Sequence, residues 1–238
     1  MSGRRAADVR PPRRIAVLGS PGSGKSTFCH TLAALTGLPL IHLDDVYWGP
    51  QWRRTPDAEW ANVVERLAAA PHWIIDGNFA GTVRQRVERA DVVVLFDRHP
   101  WLCAAALVRR SLRLRRDALL GRAPREYVPR GLAGHDPPVR SLTALLRKAA
   151  GFRGRELRTM GALLAGASVP VLRCRSRRDQ TRVLRLLSAE APAVSADPFP
   201  PGPGVVCACA RRRERAGARS RTAPHAGSRR PAAQERNV

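Results

Sequence analysis

An α/β fold, a five-stranded parallel sheet with helices on both faces, is what this 238-residue sequence predicts. Five short apolar runs of strand length alternate with longer stretches of helical period. Three of the first four runs close on acids, Asp44-Asp45, Asp76 and Asp97, at the strand ends where such sheets bind ligands. The first run feeds instead into a glycine-rich loop, Gly19 to Thr27.

Residues 1–12 read as a disordered basic arm. Ile15 to Leu18 is a buried-type strand. After the loop, Ser26 to Thr36 reads as a helix that Gly37 ends. Leu38 to Leu43 is the second strand, and the chain loops around Trp48 to Trp52. Thr55 can cap a helix running to about Ala70, with Pro56 in its first position. Trp73 to Ile75 forms the third strand, ending in Asp76-Gly77-Asn78, and a polar helix follows over about Gly81 to Arg89. Val92 to Phe96 is the fourth strand, followed by an Arg-rich helix from Pro100 to about Arg116. Gly, Pro and Arg break the pattern over 117–140, which reads as a mobile, lid-like loop. Periodicity makes Ser141 to Leu164 helical. Val169 to Cys174 is the fifth strand, Pro170 placing it at a start or an edge. Arg177 to Leu187 is the last helix, so the domain spans 13–188. Residues 189–238, rich in Pro, Ala and Arg, read as a disordered tail.

Aromatic content of 5% leaves the core to aliphatic side chains. With no apolar run of 18 residues and no secretory leader pattern, the sequence predicts no membrane span and a cytoplasmic site. Five scattered cysteines without a Cys-x-x-Cys pair argue against a disulfide framework or a structural zinc. The net charge of +23 is concentrated within the domain at 98–158, where 15 basic residues face four acids. Nearly all are arginines, suited to bidentate phosphate contacts in either a polyphosphate substrate or a nucleic-acid backbone.

The loop Gly19-Ser20-Pro21-Gly22-Ser23-Gly24-Lys25-Ser26-Thr27 is a phosphate-binding P-loop in its required setting, after a strand and before a helix. Its glycines let backbone N–H groups surround phosphate oxygens, and the helix beginning beyond it turns its positive end to the same anion. Lys25 supplies a mobile charge for the β- and γ-phosphates, and the Ser26 hydroxyl is a magnesium ligand. A second acid is needed at the metal; Asp76 is the first choice, with Asp44 and Asp97 as rivals. No Asn-Lys-x-Asp guanine signature is present, which favours ATP over GTP. Trp48 and Trp52 can wall an acceptor pocket, stack a base, or merely anchor their loop.

The P-loop, Leu38 to Trp48 and Trp73 to Phe79 together resemble the adenylate-kinase-related P-loop family called DNA topology modulation proteins, over about residues 13–188. The resemblance implies a three-layer, nucleoside-monophosphate-kinase-like domain that uses ATP and Mg2+. Asp76-Gly77 resembles the Asp-Gly of adenylate kinases. The arginine that usually follows is missing, so Arg84 or Arg86 would replace its contact with an acceptor phosphate. Asp44 and Asp45 resemble the acids that hold the acceptor hydroxyl in shikimate- and gluconate-type kinases. Arg109, Arg110 and Arg113 resemble arginines that close over the transferring phosphate, although the same residues also read as a solvated face. Arg177 and Arg178 would edge the adenine site. A small-molecule or nucleotide kinase is therefore the leading expectation. A nucleic-acid-associated ATP-binding protein using the 98–158 region is the second, and a regulatory nucleotide switch the third.

Overall fold

The computed structural model describes residues 11–49, 53–123, 127–129 and 141–189. The arm read at 1–12 therefore lies outside the described residues save its last two, as do Trp52, most of the loop 117–140, and the tail beyond Ala189.

Five strands, β1 (Arg14–Gly19), β2 (Leu40–His42), β3 (Trp73–Asp76), β4 (Val92–Phe96) and β5 (Val171–Cys174), form one sheet in the order β2-β3-β1-β4-β5. Every pairing is parallel. The three inner strands are almost wholly buried, as continuous apolar runs require when both faces of a sheet are covered. Because β1 lies in the middle, the glycine-rich loop emerges at the centre of the carboxyl edge.

Eight helices accompany the sheet among the described residues: α1 (Lys25–Thr36), α2 (Leu43–Tyr47), α3 (Asp57–Ala69), α4 (Val83–Arg89), α5 (Pro100–Leu119), α6 (Leu142–Gly151), α7 (Leu157–Ala165) and α8 (Arg177–Ala189). Strand side chains alternate between two cores. Ile15, Val17, Ile74 and Val94 pack with Phe28 and Leu32 of α1 and Val183 and Leu187 of α8. Ala16, Leu18, Ile75 and Leu95 face the other way, onto Trp60 and Val64 of α3, Val87 of α4 and Met160 of α7. This gives the three layers expected. A smaller cluster, Cys103 and Leu107 of α5 with Ala149 of α6, sets those two helices against each other.

Several local readings change. β2 is shorter than the run Leu38 to Leu43 and stops at His42, and Leu43 to Tyr47 forms a helical turn ahead of the loop read at Trp48 to Trp52, so both Asp44 and Asp45 sit at a helix start, where the backbone dipole favours acids. Thr55 does not cap α3: Pro56 occupies that position, and the Thr55 hydroxyl donates to the Tyr47 carbonyl at 3.0 Å. α5 runs three residues further than Arg116. The helix read over 141–164 is interrupted by a π-helical turn at Phe152–Glu156, where glycines at 151 and 154 weaken a regular ladder. Pro170 does precede an edge strand, as its missing N–H demands.

Candidate active site

The phosphate loop is shaped by close approach. Gly22 has φ +76°, and a Cβ there would stand 2.4 Å from the Cys103 carbonyl of α5. Gly19 has φ +140°, and its Cβ would strike the Phe96 carbonyl at 2.4 Å. Only glycine fits either position. Inside the loop, Ser23 Oγ donates to the Ser20 carbonyl at 2.7 Å, and both serines are buried. Gly19, Ser20 and Ser23 thus brace the loop, whereas Pro21, Gly22, Gly24, Lys25, Ser26 and Thr27 line a cavity of about 890 Å³. That is the upper end of the range for small-molecule sites, roughly 300–1,000 Å³. Lys25 Nζ donates to the carbonyls of Gly19 at 2.7 Å and Ser20 at 3.0 Å.

β3 delivers Asp76 to the foot of this loop, where its Oδ2 accepts from Ser26 Oγ at 2.9 Å. His42, the last residue of β2, places Nδ1 3.0 Å from the same oxygen. Burial works to raise the Asp76 pKa, but the His42 hydrogen bond, the charges of Lys25 and His42, and the Ser26 hydroxyl together hold it below the usual carboxylate value. The other oxygen, Oδ1, is buried and has no hydrogen-bond partner among the described residues. A buried carboxylate oxygen left open beside a serine hydroxyl is a donor set that fits a hard cation such as magnesium. Of the rival acids, Asp44 lines the cavity. Asp97 does not; it is buried and lies 3.4 Å from Arg175.

Across the cavity, α5 presents Arg109, Arg110 and Arg113, and α8 contributes Arg177. Arg110 donates to the Tyr127 carbonyl at 2.7 Å. The Tyr127 ring stacks on His42 at 3.9 Å between centroids, and burial first, then the charges of Asp45 and Asp44, push its phenol pKa far upward. Trp48 lines the same end, while Asp45 does not and acts there through Tyr127.

The structure does not bring Arg84 to the site. Its side chain is 79% exposed and paired with Glu88 one turn on. Arg86 is not free for a substrate either. Fully buried, it donates to the carbonyls of Gly77, Asn78, Phe79 and Thr82, and burial pulls its pKa down to about 9 against the Asp76 charge. Arg178 belongs to a shallow groove on the outer side of α8 with Arg182 and Arg185.

Sequence reasoning missed His42, Tyr127 and Asn78. His42 carried a signal, being a polar residue closing a buried strand at the ligand-binding edge. Tyr127 carried none, lying in a stretch without periodicity. Asn78, whose side chain pairs with the Gly19 backbone, entered the sequence reading only in the turn that closes the third strand.

The sequence matches no protein-family profile and no curated protein. A shikimate kinase from Bacteroides thetaiotaomicron is 15% identical, with a TM-score of 0.43, covering 75% of this chain and 97% of the kinase. A gluconokinase from Sinorhizobium meliloti 1021 is 17% identical, again with a TM-score of 0.43, covering 76% of this chain and 95% of its own. Likenesses at that level bear no weight here. The assignment as a P-loop α/β fold rests on the strand order and the loop.

Proposed function

We propose that the chain is an ATP-dependent phosphotransferase that passes the γ-phosphate to a small hydroxyl-bearing or nucleotide acceptor. The observation that carries this reading is the open Asp76 oxygen beside Ser26, at the foot of a phosphate loop that faces three arginines of α5 across one cavity.

The loop N–H groups and Lys25 bind the β- and γ-phosphates. Ser26 and Asp76 would hold magnesium, which would supply charge neutralisation to the phosphates. Arg109, Arg110 and Arg113 stabilise the charge that spreads over the transferring group's oxygens, and Arg177 edges the nucleotide. Asp44 orients the acceptor hydroxyl and takes its proton during in-line attack, with Asp45 and Trp48 at the same end. The resemblance to DNA topology modulation proteins is compatible with this scheme. A nucleic-acid role through the basic 98–158 region is the second reading, resting on the excess of charge in that stretch alone.

A coupled ADP-release assay tests both. With magnesium and ATP, a panel of nucleoside monophosphates, hydroxylated metabolites and duplex DNA is compared with buffer alone, in wild type and Lys25→Ala. Stimulation by a small acceptor, abolished in Lys25→Ala, is the expected result. Undiminished turnover in that variant would sink the proposal, and stimulation by DNA alone would move it to the second reading.

A further inference from the structure

We propose that the chain also phosphorylates itself, within one molecule, on the phenol of Tyr127. This rests on the phosphotransferase reading above and deepens it by naming a protein hydroxyl as an acceptor.

Tyr127 lines the cavity that contains the phosphate loop. Its ring stacks on His42 with centroids 3.9 Å apart and planes 20° from parallel, and it meets His30 at 5.8 Å. His42 Nδ1 lies 3.0 Å from Asp76 Oδ2, the oxygen that accepts from Ser26. Two contacts therefore link the tyrosine ring to the residues assigned to magnesium. From the α5 side, Arg110 donates to the Tyr127 carbonyl at 2.7 Å. Ring and backbone are both held, which is the positioning that an in-line transfer needs.

The phenol is the unexplained part. Its oxygen is buried and has no hydrogen-bond partner among the described residues, a state that buried hydroxyls seldom keep. Asp45 and Asp44 stand close enough for their charges to act on it, but neither closes a hydrogen bond of ordinary geometry. These are the acids assigned to the acceptor end of the cavity, so the phenol lies where an acceptor hydroxyl belongs.

A tyrosine in that place turns the transfer onto the chain itself. A lone pair of Tyr127 Oη forms the new O–P bond at the γ-phosphorus while the bond to the β–γ bridging oxygen breaks. That oxygen keeps the electron pair and leaves on ADP. The phenolic proton passes to the carboxylate of Asp45, whose charge acts on it more strongly than that of Asp44. Burial and the two acids push the phenol pKa upward and keep the group neutral beforehand, so the proton leaves during attack and not before it. Because the phenol oxygen is shielded from solvent, the transfer runs within one molecule rather than between two.

The test incubates the full chain with magnesium and ATP labelled at the γ-phosphate, and locates the label by phosphopeptide mass spectrometry. Wild type should carry label at Tyr127, gained at a rate per chain that does not depend on protein concentration. Tyr127→Phe keeps the ring stack and loses only the hydroxyl. It should lose the label and still bind magnesium-ATP as wild type does by calorimetry. Lys25→Ala should stay unlabelled at Tyr127 even when mixed with active Tyr127→Phe chains. Label at Tyr127 of Lys25→Ala in that mixture would overturn transfer within one molecule. A wild type that binds magnesium-ATP and stays unlabelled at Tyr127, or label undiminished in Tyr127→Phe, would overturn the proposal, while the coupled assay with small acceptors judges the phosphotransferase reading separately. A wild-type chain that binds no magnesium-ATP would overturn both.

Discussion

Arg86 and Arg84 lie two positions apart on α4 and have opposite fates. Helical spacing alone puts them on different sides, but it does not say which side turns inward. Arg86 went in because four carbonyls at the exit of β3 need donors and a guanidinium can serve all of them from one place. It also holds Phe79, whose φ of +34° is unusual for an aromatic residue and is sustained by packing on Tyr47 and Trp60. Arg86→Leu should therefore cost about 3 kcal/mol or more, from several buried acceptors losing their donor at once. Urea unfolding measures it, and a loss below about 1 kcal/mol would show the carbonyls find other partners. Lys25, Ser26 and Asp76 were legible in the sequence because phosphate chemistry demands those types at set places. His42 and Tyr127 were not, because their roles arise from contacts between distant segments.

At the scale of elements, strands and their edges were readable from apolar runs, whereas interruptions within helices were not. The π-helical turn before α7 carries its Glu156 into the cavity, a placement that regular periodicity hides. The start of α8 shows a local device with a measurable consequence. Asp179 Oδ2 accepts from the N–H groups of Arg175 and Ser176, and Ser176 Oγ accepts from the Asp179 N–H. Ser176→Ala should cost about 1 kcal/mol, as losing a helix cap does. The backbone bonds from Arg175 and Ser176 hold the Asp179 carboxyl below its ordinary value of 3.8. A depressed carboxylate contributes stability above that value and loses it as pH falls through the lower folded value. Thermal melts of wild type and Asp179→Asn should differ above pH 3.8 and converge below it. A gap that persists in acid would contradict the capping role.

Over the whole molecule, the charge of +23 pointed outward to nucleic acid as readily as inward to phosphate. The fold divides it. Arg109, Arg110 and Arg113 turn to the cavity, while Arg178, Arg182 and Arg185 stay outside it. Composition gives the sum of charge but not the surface on which it lies. Strand order, by contrast, brings the phosphate loop between Asp76 on one side and β4 on the other, as a central β1 must. No described helix is long and apolar enough to cross a membrane.

The central claim is that this cavity holds ATP through a magnesium ion kept by Ser26 and Asp76. Titrating ATP into wild type and Asp76→Asn, each with and without magnesium, tests it most directly. Magnesium should tighten binding to wild type by about tenfold or more, the scale of one added charge-assisted contact, and should do little for Asp76→Asn. Binding to wild type that ignores magnesium, or an Asp76→Asn variant that responds to it fully, would contradict the account.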